Sequence, residues 1–181
     1  MIIIFTGPPF SGKDTQAKLL REKLGLPVFS MGAIIREAYD KKDARAVEGF
    51  ENYSMKGLHV PIELKFDLLK NSLNKLNNFI LDNFPATEED LESFLKYLSE
   101  RNLKINHVFY LILSKKEMEK RSIHRGREDD DPQVVEKRRE IQDKDRESVL
   151  GYFKTQGLLR EVEGNQSIEN VHKDIMRYID D

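Results

Sequence analysis

The sequence predicts an α/β fold, a five-stranded parallel sheet with helices on both faces, and two observations predict it. Short apolar runs alternate along the chain with longer stretches whose apolar residues recur at helical spacing, the pattern of successive βα units. The clearest of the short runs, Ile2–Thr6 and His107–Leu113, lack polar alternation, as strands covered on both faces do.

Each element has a local reason. Ile2–Thr6 reads as a buried strand, Gly7–Gly12 as a Gly/Pro turn, and Lys13–Leu24 as a helix with Ala17, Leu19, Leu20 and Leu24 at helical spacing. Pro27–Phe29 is a short strand, followed by helical stretches near Gly32–Tyr39 and Arg45–Tyr53. After the break at Gly57, Pro61 suits the first turn of a helix running to about Leu76. Phe79–Leu81 is a third strand. Thr87 then caps a helix with Glu88, Glu89 and Asp90 in its first turn. His107–Leu113 precedes a charged helix, Ser114–His124, and a loop of mixed charge, Arg125–Asp131. Pro132 opens a long polar helix toward Phe153, Leu158–Val162 is the last strand, and Ser167–Ile179 a closing helix.

At 181 residues and 21.2 kDa the length suits one domain, and 30 Lys+Arg against 32 Asp+Glu give a net charge of −2. That balance argues against coating nucleic acid or acidic membrane, yet leaves room for a local basic pocket. The absence of cysteine excludes disulfides, thiolate zinc sites and cysteine nucleophiles. Met1–Phe5 is too short for a signal peptide, and no stretch approaches the roughly 20 apolar residues of a membrane span. A cytoplasmic monomer with no nucleic-acid or membrane partner is expected. Two stretches, Ser30–His59 and Arg125–Asp131, are more polar than a packed layer requires. Both come after strand-to-helix turns, where open α/β sheets place their ligands, and both read as insertions serving a site.

The strongest motif is Gly7-Pro8-Pro9-Phe10-Ser11-Gly12-Lys13-Asp14-Thr15, the spacing of a phosphate-binding loop between an apolar strand and a helix. Backbone N–H groups of such a loop converge on an anion, the helix adds its positive end, and Lys13 neutralises β/γ-phosphates. Asp14 stands where Ser or Thr is usual, and a carboxylate beside a triphosphate is awkward unless it faces a metal or points outward. Thr15 offers a hydroxyl instead.

Gly12-Lys13-Asp14-Thr15-Gln16 resembles the adenylate kinase family of nucleoside monophosphate kinases, and the resemblance continues in order along almost the whole chain. Phe29–Arg36 resembles the segment that opens that family's monophosphate-binding insertion, and Gly57–Pro61 the turn that closes it. Phe79–Thr87 resembles the strand and loop carrying an Asp and a phosphate-binding Arg. Arg121, Arg125, Arg127-Glu128-Asp129-Asp130 and Arg138 resemble the arginine-rich lid.

The resemblance implies one P-loop kinase domain over 1–181, with a helical monophosphate-binding insertion at 30–59 and a short lid at 125–131. It implies ATP as phosphoryl donor, Mg²⁺ beside the donor phosphates, and a nucleoside monophosphate as acceptor. Gly7, Ser11, Gly12, Lys13, Asp14, Thr15, Arg121 and Arg125 would hold the donor. Met31, Gly32, Arg36, Val60, Asp90, Arg127 and Arg138 would hold the acceptor. Lys13, Arg125, Arg127 and Arg138 would neutralise the moving phosphoryl group, and Asp82 would orient a water on Mg²⁺. Some members staple their lid with zinc; this cysteine-free chain with a short lid implies no zinc. Taken alone, Arg121 and Arg125 at i, i+4 describe a solvated helix face, and Asp82 a turn residue. The four histidines show no metal-ligand spacing and are given no role.

Departures from the pattern fall mostly on the acceptor side. Ala86 stands where the family carries the arginine of Phe-Pro-Arg-Thr, a loss of about 1.5–3 kcal/mol on the scale of charged hydrogen bonds. Met31 replaces a Thr that contacts adenine, Ala33 an Asp, and Asp90 a Gln that reads the base edge. In the loop, Phe10 and Asp14 replace glycines. A carboxylate at Asp90 is expected to accept hydrogen bonds, favouring a base edge rich in N–H groups. A kinase for another small acceptor, and a nucleotide-binding regulatory module, stand as alternatives.

Overall fold

The computed structural model describes residues 1–122 and 132–180. Its centre is a five-stranded, wholly parallel sheet in the order β2-β3-β1-β4-β5, formed by Ile2–Thr6 (β1), Val28–Ser30 (β2), Phe79–Asp82 (β3), His107–Ile112 (β4) and Leu159–Glu163 (β5). Because side chains alternate faces along a strand, β1 builds two cores at once. Ile2 and Ile4 join Phe79, Leu81 and Val108 on one face, under Leu69, Leu73, Phe94, Val149 and Phe153. Ile3 and Phe5 join Ile80, Phe109, Leu111 and Val162 on the other, under Ala17, Leu20, Val171 and Ile175. All five residues of β1 are buried, which is why that run carries no polar alternation.

The helices are Lys13–Leu24 (α1), Met31–Asp40 (α2), Ala44–Asn52 (α3), Ile62–Leu73 (α4), Glu88–Glu100 (α5), Lys115–Ser122 (α6), Pro132–Thr155 (α7) and Ile168–Asp180 (α8), with a 3-10 turn at Ser54–Lys56. Among the described residues each expected helix and strand is present, with differences at the ends; His124 and the loop 125–131 lie outside the described residues. Pro61 precedes the first turn of α4 rather than lying in it, and that helix stops at Leu73 because Asn74 is extended and Lys75 adopts a left-handed φ of 66°. The Thr87 hydroxyl caps α5 as expected, accepting from the Asp90 N–H at 3.2 Å. Among the described residues no helix is long and apolar enough to cross a membrane.

One backbone approach positions the loop after β1. Gly7 has φ +146°, and a Cβ there would lie 2.6 Å from the Leu111 carbonyl oxygen. Gly7→Ala therefore adds a strained backbone conformation to a steric conflict with the next strand, and should destabilise the fold by about 2–4 kcal/mol. Urea denaturation checks this; a change below about 0.5 kcal/mol would mean that the loop shifts without loss.

Candidate active site

The C-terminal ends of β1, β2 and β3 lie level, since Asp82 pairs in register with both Phe5 and Ser30. The loops leaving these three strands therefore meet on one side of the sheet, where parallel sheets bind ligands. A cavity of about 470 Å³ opens there. Its lining includes Pro9–Thr15, Asp82, Asn83 and Arg121, together with Met31, Ile35, Arg36, Phe50, Val60 and Lys65.

In the loop, the Lys13 ammonium donates to the carbonyl oxygens of Gly7 at 2.9 Å and Pro8 at 2.8 Å, and to the Ser11 hydroxyl at 3.3 Å. Gly12, at φ +95°, turns the chain into α1, so the helix N-terminus faces the cavity. Phe10 takes a left-handed φ of 62°, a conformation that strains a residue bearing a Cβ. Asp14 pairs with Lys18 one turn on at 3.0 Å, with both side chains solvated. The carboxylate that looked awkward beside a triphosphate thus has a cation of its own. From α6, Arg121 donates to the carbonyl oxygens of Gly164 at 2.9 Å and Phe10 at 3.4 Å, while Glu117 holds its Nε at 3.0 Å.

Gly7 is not among the residues that line the cavity; its carbonyl accepts from Lys13 and, at 3.2 Å, from Arg146 of α7, a residue only 4% exposed. Arg146 thereby braces the loop from beneath. Asp82, the last residue of β3, is buried yet lines the cavity. Gly32 and Arg36 lie one turn apart on α2, and a Cβ on Gly32 would come within 3.2 Å of the guanidinium. The glycine leaves that group room.

Similarity to known proteins matches this geometry. The family model described as adenylate kinase matches residues 5–158. The chain belongs to the adenylate kinase family. It is 31% identical over 209 residues to an adenylate kinase of Archaeoglobus fulgidus, covering 97% of this chain and 96% of that one. With an adenylate kinase of Leptospira biflexa the identity is 30% over 184 residues, covering 98% of each chain. With one of Azobacteroides pseudotrichonymphae it is 34% over 182 residues, covering 96% of this chain and 94% of that one. Membership makes the chain a phosphotransferase of the nucleoside monophosphate kinase type, acting on nucleotide substrates.

Of the site residues the family resemblance marks, Ser11, Gly12, Lys13, Asp14, Thr15, Met31, Gly32, Arg36, Asp82 and Arg121 line the one cavity, with Val60. Arg125, Arg127, Asp129 and Asp130, and with them the lid at 125–131, lie outside the described residues, as does the Arg138 side chain. Asp90 lies apart from these residues. It is 1% exposed and is not among the residues that line the cavity; Lys65 Nζ donates to its Oδ2 at 3.0 Å and lies 2.9 Å from Oδ1, the Ala86 N–H donates to Oδ2 at 3.1 Å, and Oδ1 has no hydrogen-bond partner among the described residues. Its partner Lys65 lines the cavity.

Sequence reasoning missed Lys65, Arg146 and His59. The first two had a signal. Lys65 shares helical spacing with the buried Leu69 and Leu73, and Arg146 with Val149 and Phe153, so each puts a cation on a face otherwise apolar. His59 had none: its Nε2 lies 3.3 Å from the Asp145 carboxylate, across 86 positions of sequence.

Burial, and next the Lys65 ammonium, push the His59 pKa below its ordinary value; Arg146 adds to this, while Asp145 and Asp90 oppose it. A histidine depressed in the folded state binds fewer protons there than when unfolded. Its contribution to stability is therefore complete above about pH 6.5, the unfolded value, and is lost as pH falls through that value toward the folded pKa. His59→Gln should lose less stability than the parent between pH 7.5 and 5. Melting temperatures at the two pH values check this, and equal losses would contradict it.

Proposed function

We propose that the chain transfers the γ-phosphoryl group of Mg-ATP to a nucleoside monophosphate, giving ADP and a nucleoside diphosphate. The observation that carries this reading is a single cavity joining a lysine-bearing phosphate loop to Arg36 on a separate helical segment. A donor phosphate chain fits the loop and the N-terminus of α1, and an anionic acceptor fits Arg36.

The chemistry asks little of the protein beyond position and charge. An oxygen of the acceptor phosphate forms a bond to the γ-phosphorus as the bond to the β–γ bridging oxygen breaks, and ADP leaves with that electron pair. No general base is needed, because the acceptor is already an anion. Lys13 exchanges its loop carbonyl partners for β/γ-phosphate oxygens and neutralises the group in flight. Arg121, anchored through Gly164 and Phe10, lies beside the same loop on the donor side.

Magnesium bound mainly by phosphates and water asks the protein for one carboxylate or hydroxyl rather than a cage. Among the described residues no three acidic or histidine side chains form a cage, while Asp82 and Thr15 both line the cavity, so the residues fit an ion of that kind. When bound, the ion would supply charge neutralisation to the donor phosphates; Asp82 would hold it through a water, and Thr15 would offer its hydroxyl. The segment 30–59 serves as the acceptor-binding insertion. Arg125, Arg127 and Arg138 close over the phosphates and exclude water, whose attack on the donor is the side reaction.

Arg36→Ala tests the acceptor half. It should raise KM for the monophosphate about 10- to 100-fold, the scale of one charge-assisted hydrogen-bonded pair, and leave KM for ATP within about twofold. Steady-state kinetics with each substrate varied in turn check this, and equal effects on both constants would remove Arg36 from the acceptor site.

A further inference from the structure

We propose that Arg146 is a positioning residue for the donor: it keeps the Gly7 carbonyl oxygen hydrogen-bonded when Lys13 leaves that oxygen for donor phosphates, and so lets the ammonium go. The inference rests on the donor half of the kinase reading and adds a residue to it.

The loop's own chemistry sets the need. Pro8 and Pro9 carry no N–H, so the Gly7–Pro8 and Pro8–Pro9 peptides bring hydrogen-bond acceptors to the loop and no donors. Both carbonyl oxygens accept from Lys13, at 2.9 and 2.8 Å. Gly7 and Pro8 are buried, and a buried oxygen left unpaired costs its full desolvation. Taking Lys13 away would be expensive if the ammonium were the sole partner of either.

Each oxygen has a second donor. The Ser11 N–H reaches the Pro8 oxygen at 3.3 Å, and the Arg146 guanidinium reaches the Gly7 oxygen at 3.2 Å. A carbonyl oxygen has two lone pairs and holds both partners at once. The Ser11 contact lies within the loop, whereas Arg146 comes from α7 and ties the loop to the body of the protein.

Arg146 is built for that task. It is 4% exposed and not among the residues that line the cavity, so it acts through Gly7 and not on a substrate. Its Nη1 donates to the Asp143 carboxylate at 2.5 Å, which balances the charge, and its Nη2 donates to Gly7. Val149 and Phe153, farther along the same helix, are fully buried in the core, which fixes where the guanidinium stands. A simple brace would serve the loop equally with and without ligand. Sharing one oxygen with Lys13 makes the role conditional. While Lys13 is on Gly7, Arg146 is one partner of two; once Lys13 is on phosphate, it is the one of the two that remains. Loss of Arg146 therefore falls on the donor-bound state.

The test is calorimetry of Mg-ATP binding, without acceptor, to the parent, Arg146→Met, Lys13→Met and the double variant. Arg146→Met should raise Kd about tenfold where Lys13 is present, the scale of one buried acceptor left unpaired, and less than twofold where Lys13 is already methionine and no exchange occurs. A loss at least threefold greater with Lys13 than without it is the expected result. A ratio below threefold, which a general brace or a general positive charge would give, overturns the inference. In steady-state kinetics Arg146→Met should leave KM for the monophosphate within twofold; a rise equal to that for ATP would mean a collapsed cavity and also overturns it. Where Arg146→Met does not fold by circular dichroism, Arg146→Gln, whose shorter side chain withdraws from the Gly7 oxygen, takes its place in the same cycle. Failure of both to fold would make Arg146 a residue of the fold alone and overturn the proposal. A parent that binds no Mg-ATP removes the donor reading itself, a result distinct from a donor that binds and ignores Arg146.

Discussion

Lys13→Met should lower kcat/KM for phosphoryl transfer by about 10²–10³-fold, the usual effect of removing one preorganised donor from a developing anion. In the structure the ammonium ties the loop together through Gly7, Pro8 and Ser11. On the proposed reading a donor's phosphate oxygens take the place of those carbonyl partners, so the interaction is strongest where charge is greatest. Because the loop also keeps its tie from Arg146 to the Gly7 carbonyl, the fold should lose only about 1–2 kcal/mol. Initial rates and urea denaturation on the same preparation separate the two effects. A variant that keeps a tenth or more of the parent's kcat/KM would remove Lys13 from the chemistry.

Lys65→Met should destabilise the protein by about 3–5 kcal/mol, as expected when one partner of a buried ion pair is removed and its carboxylate is left with too little compensation. Lys65 and Asp90 are 4% and 1% exposed at their side chains, and water does not replace the lost ammonium. The Ala86 N–H remains as a partner for Asp90, which keeps the loss from being larger. The double change Lys65→Met/Asp90→Asn removes both charges and retains an amide oxygen for Ala86, so most of the stability should return. Chemical denaturation of the two single variants and the double variant gives the coupling. Additive losses would mean that the two side chains do not act as a pair.

Much of the fold was legible in the residues because it is written in short-range pattern. Unbroken apolar strands such as Ile2–Thr6 announce burial on both faces, and Thr87 with its acidic first turn announces a helix start. The loop from Gly7 to Lys13 was legible for a similar reason: an anion cradle needs these residue types at this spacing. The acceptor side was less so. Sequence spacing does not show that Lys65, 25 positions before Asp90, meets it across two helices. His59 and Asp145 are farther apart still, and neither residue type signals the other. Arg146 bracing Gly7 from 139 positions away is a contact of the same kind. Long-range polar pairs depend on how helices pack over the sheet, which periodicity does not encode.

The most direct test of the account tracks the phosphoryl group itself. With ATP labelled with ¹⁸O on its γ-phosphate, magnesium and each nucleoside monophosphate in turn, the label should appear in the terminal phosphate of a nucleoside diphosphate, formed one for one with ADP. Label recovered only in inorganic phosphate, or ATP left unconsumed with every acceptor, would contradict it.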